Sequence, residues 1–246
     1  MNARRAGTPT TQMPPMYSTP STLSPVELHA LRMLDSCEVA NSIETLDERL
    51  RNQGFANGSV RCLFPEFASM VGYAATIKVS GSRPPMMGGV YSDRTDWWDY
   101  VLAVPFPRVI IVEDVSHHAG LGSFLGEVHI NILKALGCVG AVTNGSVRDL
   151  PRARALAFQL FSGSISVSHA YEHIVEFGTP VEIAGLKISS GDLLHGDMHG
   201  FQSVPLAHAA EIPSVAMRIR EKERPIIELC QSADFTLEKL RAAVAR

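Results

Sequence analysis

The chain has 246 residues, 46% hydrophobic and 19% charged, with a formal net charge of −3. That composition suits one soluble α/β domain, alone or with appendages, and a core of this size folds without a disulfide or metal staple. The charge balance gives no basis for nucleic-acid affinity, and no run of about eighteen apolar residues offers a membrane span. The four cysteines (Cys37, Cys62, Cys138 and Cys230) are scattered and form no C-x-x-C pair. Reduced thiols and a cytoplasmic location are the expectation.

Residues 1–24 are basic and rich in Pro, Thr and Ser, without an apolar stretch of the secretory kind. They read as a flexible arm, because such residues bury too little apolar surface to offset ordering entropy. Ser24-Pro25 then opens a helix whose apolar face is Leu28, Leu31 and Leu34. A second helix is expected over Ser42 to Asn52, ending near Gly54. Val71 to Val79 is β-rich and predicts a strand, and Asp93 to Val104 predicts a helix carrying Trp97, Trp98, Tyr100 and Val101. Val109 to Val112 is short and wholly apolar, which places it centrally in a sheet. It runs into Glu113, Asp114 and a Gly-rich loop, His117 to Phe124.

A helix over Glu127 to Leu136 follows, with Val128, Ile132 and Ala135/Leu136 as its apolar stripe and Gly137 as its C-terminal cap. Val139 to Val142 predicts a strand, Pro151 to Ala157 a helix, and Phe158 to Phe161 another strand. Ser164 to Val204 reads as short strands separated by glycine turns. Helices are expected over Ala207 to Arg220 and Pro225 to Val244. The alternation from 71 to 162 implies an α/β sheet with parallel pieces, and the later hairpins make it mixed. The domain organisation is an arm (1–24), an α/β domain (25–224) and a charged C-terminal helix (225–246) able to contact another subunit. No dinucleotide fingerprint, Walker loop or G-x-S-x-G elbow occurs.

Two short segments carry the chemistry. Gly126-Glu127-Val128-His129 opens a helix, whose unpaired N–H groups and partial positive charge attract a carboxylate or phosphate. The plainer reading is an ordinary helix start, with Glu127 favourable to the dipole. Arg148-Asp149 follows a strand. Arginine binds a carboxylate or enolate through a fixed fork, and aspartate offers Mg²⁺ a hard oxygen. The plainer reading of Asp149 is a cap for the helix that begins at Pro151. One helix and one strand separate the two segments, so both fall at the ligand-binding edge of a β-α-β unit. A small 2-oxo acid with a divalent cation fits that combination. His117, His118, His129, His195 and His199 match no zinc spacing, and the adjacent pair His117-His118 is expected to diverge. Asp192 and Asp197, set among glycines, read as turn residues rather than calcium ligands.

The order GE…LG-x-x-G-x-V-x-[ND]-G-x-V-R-D, a strand ending in Phe-x-x-Gly, then GD…GD-x-x-G…VP resembles the RraA-like family. The match runs from about Val71 to Pro205 and is strongest in GEVHINILKALGCVGAVTNGSVRD, Gly126 to Asp149. That family includes 4-hydroxy-4-methyl-2-oxoglutarate aldolases, often with oxaloacetate decarboxylase activity, and the regulator of ribonuclease activity A. The resemblance implies an α/β fold of the swivelling β/β/α type, with a central mixed sheet or barrel-like layer, helices outside, and assembly as a trimer or dimer of trimers. It implies that amides of Gly126, Glu127, Val128 and His129 hold a pyruvyl carboxylate, that Arg148 contacts the carbonyl or enolate oxygen, and that Asp149 binds Mg²⁺ or Mn²⁺. Glu127 stands where the family places an acid assisting proton transfer.

This chain departs from the aldolases at Arg152, where they usually carry an acid, and at Val128-His129, where two leucines are usual. The implied reaction is metal-dependent cleavage of a 4-hydroxy-2-oxo acid, or decarboxylation of oxaloacetate, through a pyruvate enolate. The alternative is a non-catalytic regulator that docks on a ribonuclease. Methyl transfer lacks any Gly-rich nucleotide loop here.

Overall fold

The structure is a computed structural model describing residues 22–85 and 95–245. Most of the expected arm and the first two residues of the expected Asp93 helix lie outside that range.

The chain begins with two short helices, α1 (Pro25–Arg32) and α2 (Ser36–Thr45). Each starts with a reciprocal capping box. Ser24 and Glu27 serve α1, and Asp35 and Glu38 serve α2. Sequence reading placed the second helix later, at Ser42 to Asn52. The Asp35–Glu38 box is the start signal that reading passed over.

Next come β1 (Arg61–Cys62), β2 (Met70–Ser80), α3 (Asp96–Ala103), β3 (Arg108–Asp114), β4 (Ser123–Leu125), α4 (Glu127–Ala135), β5 (Cys138–Val147), α5 (Leu150–Ala155) and β6 (Gln159–Ile165). The remainder is β7 (His173–Phe177), β8 (Val181–Ile183), β9 (Leu186–Ile188), β10 (Leu193–Asp197), β11 (Gly200–Val204), α6 (Ile212–Gln231) and α7 (Leu237–Val244).

Strands pair in the order β1-β6-β5-β3-β2-β10-β11, with β4 beside β5 and β7 beside β2. Neighbours β2, β3, β5 and β6 are parallel, whereas β10 and β11 close the far side antiparallel. The result is a nearly closed, barrel-like mixed sheet with helices around it.

Alternation along β3 explains why it is apolar throughout. Ile110 and Val112 join the core that contains the helices, whereas Val109 and Ile111 join a second core inside the sheet. The β8–β9 hairpin contributes Val181, Ile183, Leu186 and Ile188 to that second core.

Two expectations about helices need correction. The buried residues of α4 are His129, Ile130 and Leu133, while Val128 is 57% exposed. Of the expected stripe, Val128 and Ala135 are exposed while Ile132 and Leu136 are half-buried, and a histidine occupies a core position that a polarity pattern assigns to solvent. Nor does a break occur at Pro225, since α6 continues through it to Gln231. Proline removes one helix bond and crowds the carbonyl four residues earlier. Here those residues are exposed, so water can satisfy the freed carbonyl. The break falls instead between α6 and α7, where Thr236 caps the last helix.

The Gly-Asp segments act structurally. Asp197 accepts the N–H groups of Ser36 (2.8 Å) and His199 (2.8 Å), and Asp192 accepts that of Ser189 (2.8 Å). Fully buried His195 reaches Ser36 Oγ through Nδ1 and the Leu31 and Leu34 carbonyls through Nε2. These bonds fasten the α1–α2 hairpin to β10. Burial holds the His195 pKa below its ordinary value, so the ring is neutral. His117 and His118 do not diverge; their rings lie 4.5 Å apart.

Candidate active site

Three residues of strand decide the geometry. The short strand β4 pairs in parallel with the end of β5, Leu125 opposite Val147. The Arg148 N–H donates to the Leu125 carbonyl at 3.0 Å. The residue after each strand, Gly126 on one side and Arg148 on the other, is thereby fixed face to face. Sequence reading absorbed β4 into the loop ending at Phe124, so it inferred this convergence without the element that creates it.

Gly126 is the N-cap of α4 and offers no side-chain cap. Asp149 supplies one from another element, since the Glu127 N–H donates to Asp149 Oδ2 at 2.9 Å. The Arg148 Nε lies 3.6 Å from the same oxygen. Asp149 is also the N-cap residue of α5, with φ +57°, but its side chain makes no bond to that helix. Its carboxylate is turned to α4, contrary to the plainer reading of a cap for its own helix. Aspartate is among the few L-residues that tolerate this left-handed conformation.

Gly126 is required by space rather than by torsion. A Cβ there would lie 2.9 Å from Arg148 Nε and 2.9 Å from Asp149 Oδ2. Both atoms belong to partly exposed side chains rather than to the backbone, so Gly126→Ala is expected to leave the fold intact while pushing Arg148 and Asp149 out of place. The expected result is a thermal midpoint within a few degrees of the parent and at least tenfold lower turnover of whatever substrate the site takes. Unchanged turnover would show that this juxtaposition is irrelevant.

Four charged side chains ring the opening. Glu127 and Arg152 form an exposed pair at 3.8 Å, Arg148 is mostly covered, and Asp149 is 39% exposed. The basic residue standing where the aldolases usually carry an acid is therefore the partner of Glu127. Such an exposed pair contributes little to stability. Val128 projects outward, and only the backbone of His129 faces this region. The His129 ring stacks on Phe124 at 4.3 Å, meets Trp97 edge-on, and donates from Nδ1 to the Phe124 carbonyl at 2.7 Å. Burial lowers its pKa and keeps it neutral. Gly126, Glu127, Arg148 and Asp149 thus come together, while the side chains of Val128 and His129 point elsewhere.

No group of three His, Cys, Asp or Glu side chains gathers among the described residues. Asp149 and Glu127 both offer accessible carboxylates at the start of α4. That donor set suits Mg²⁺, which takes one or two carboxylates and completes its octahedron with water and substrate oxygens.

Behind the site lies a buried acidic pair that sequence reading did not identify. Asp114 ends β3 and accepts the N–H groups of Ser116 (2.9 Å) and Gly120 (2.7 Å), organising the loop that leads into β4. Glu172 is 1% exposed, and neither of its carboxylate oxygens has a hydrogen-bond partner among the described residues. Burial, and secondarily the Asp114 charge, push its pKa up to about 8. A lone Glu in a loop of Ser and His carries no sequence signal for this.

No helix among the described residues is long and apolar enough to cross a membrane. The RraA-like family model, described as Aldolase/RraA, matches residues 36–201. A Halalkalibacterium halodurans protein, whose name proposes a 4-hydroxy-4-methyl-2-oxoglutarate aldolase, is 26% identical over 177 residues, covering 70% of this chain and 78% of its own. An uncharacterized Pseudomonas syringae pv. tomato protein of solved structure has a TM-score of 0.68 at 24% identity, covering 94% of this chain and 99% of its own. Streptomyces coelicolor RraAS2, described as an unusual member of the RNase ES inhibitor RraA family, has a TM-score of 0.64 at 22% identity, covering 83% and 96%. The motif order, the barrel-like mixed sheet and this match over most of the chain have one conclusion: the protein belongs to the RraA-like family, which includes both aldolase-type members and ribonuclease regulators.

Proposed function

We propose that the protein is a divalent-metal-dependent lyase that releases pyruvate from a 4-hydroxy-2-oxo acid, with oxaloacetate decarboxylation as a side reaction. The observation that carries this reading is the 2.9 Å bond from the Glu127 N–H to Asp149 Oδ2, with the Arg148 guanidinium at the same oxygen. It joins an anion-attracting helix start, a fork of donors and a hard oxygen ligand at one point.

In this reading the first-turn amides of α4 bind the substrate carboxylate and fix the C3–C4 bond. Arg148 donates to the C2 oxygen. The C4 hydroxyl loses its proton to a base, the C3–C4 bond breaks, and its electron pair enters the pyruvyl fragment as an enolate. Negative charge grows on the oxygen beside Arg148, which therefore binds the transition state more strongly than the substrate. Glu127 assists proton transfer, and protonation at C3 gives pyruvate. Mg²⁺ or Mn²⁺ held by Asp149 would supply Lewis-acid polarisation of the 2-oxo acid oxygens.

Val128 in the first turn of α4, Ile165 at the end of β6, and Leu121 and Val167 on loops of the same sheet end are exposed apolar residues. They support assembly as a trimer or dimer of trimers, in which a neighbouring subunit covers the open site.

The decisive measurement is a lactate-dehydrogenase-coupled pyruvate assay over 4-hydroxy-2-oxo acids and oxaloacetate. Turnover is expected with Mg²⁺ or Mn²⁺ and is lost in excess EDTA. Undiminished turnover in EDTA removes the metal from the reaction. One feature favours the second reading, a ribonuclease-binding regulator: Arg152 pairs with Glu127 and offsets its negative charge at the site. Capture of a ribonuclease, with no pyruvate from any 2-oxo acid, would establish that reading.

A further inference from the structure

A groove of about 560 Å³ opens at the opposite end of the parallel strands from Asp149. Its floor is made where strands begin, by Met70 and Val71 of β2, Val139 of β5 and Gln159 of β6, with Phe106 and Pro107 just ahead of β3. The ten residues of β5 separate this floor from Arg148 and Asp149, which is about 30 Å at the usual rise per residue. One wall is formed by Leu23, Pro25, Leu28, His29 and Arg32, on or beside α1. Those residues precede the segment matched to the family, 36–201.

Its polar lining is already committed, apart from Arg32 and His29. Ser69 donates to the Leu34 carbonyl, and Gln159 donates to the Phe64 carbonyl and accepts the Leu160 N–H. Glu66 pairs with Arg154 at 3.1 Å. Among the described residues, Arg32, in the last turn of α1, has neither an ion pair nor a side-chain hydrogen bond, and His29 stands one turn before it on the same face. The apolar floor and wall thus lead up to an uncompensated guanidinium. A volume in the usual range for small ligands, an apolar body and one positive rim define the complementary molecule.

We propose that this groove binds an apolar monocarboxylate, its aryl or alkyl body against Leu28, Met70, Phe106 and Val139 and its carboxylate on Arg32. The site is independent of the lyase reading, and its test involves no turnover.

Titration calorimetry of the full-length protein with 4-phenylbutyrate, 4-phenylbutanol and 4-phenylbutylamine tests it. The acid is expected to bind at least tenfold more tightly than the amine, with the alcohol between. Arg32→Glu, at an exposed position that preserves the fold, is expected to weaken the acid tenfold or more and leave the alcohol unchanged. Val139→Trp and, independently, Leu28→Trp fill the groove and are expected to weaken all three ligands. No binding of the acid by the parent, equal affinity for acid and amine, or an acid affinity indifferent to Arg32→Glu each overturns the proposal. So does parental affinity in a folded groove-filling variant.

Discussion

Asp149→Asn is expected to lower pyruvate release by roughly a hundred- to a thousand-fold, the usual cost of losing one group that stabilises transition-state charge. Asparagine is the informative replacement. It tolerates the left-handed backbone that Asp149 adopts (φ +57°) and retains an oxygen to accept the Glu127 N–H. The capping bond and the loop survive, and only the negative charge is removed. Arg148→Ala is expected to have an effect of similar size, because on the proposed mechanism it deletes the donor to the enolate oxygen. Arg148→Lys should recover little, since an ammonium does not reproduce the planar fork. Thermal midpoints and oligomer mass should remain parental, as both side chains are partly exposed. Parental kcat/KM in either Asp149→Asn or Arg148→Ala would refute the site.

Glu172→Gln is expected to change how stability depends on pH. In the folded protein the Glu172 carboxyl titrates near pH 8, against about 4.5 in the unfolded chain. Between those values the unfolded chain has released a proton that the folded protein still holds. Stability from this group is therefore complete below about pH 4.5, falls as pH rises, and levels off above about 8. The slope is at most about 1.4 kcal/mol per pH unit. Glutamine has no such slope. Buried His129 and His195, with lowered pKa values, contribute in the opposite sense, losing stability as pH falls through their ordinary range. They are common to both proteins and cancel in the difference. The parent should lose roughly 5–10 °C relative to Glu172→Gln between pH 5.5 and 8. Parallel melting curves across that range would mean Glu172 is ionised in the fold.

Periodicity and turn residues were enough to read the central sheet. VGYAATIKV, VIIV and VGAV are β-rich segments joined through helices, and the structure makes them β2, β3 and β5 in parallel. What periodicity missed was set by other forces. The position of α2 is fixed by the Asp35–Glu38 capping box, and its hold on β10 by hydrogen bonds to Asp197 and His195. The orientation of α4 depends on a histidine that packs as an aromatic against Phe124. At the site, Gly126, Glu127, Arg148 and Asp149 were legible because charge and helix polarity can be assigned residue by residue. The direction of the Asp149 carboxylate was not legible, because it depends on β4, three residues too short to show a period. The isolation of Glu172 was equally hidden, since it arises from packing between distant segments.

The bond between the Glu127 amide and Asp149 has a thermodynamic corollary for the proposed lyase. An arriving substrate carboxylate competes with the protein's own side chain for that donor. Displacing it frees an oxygen of the Asp149 carboxylate next to the bound anion, where a cation gains most. Loading of anion and cation is then cooperative, and by linkage each ligand raises the affinity for the other by the same factor.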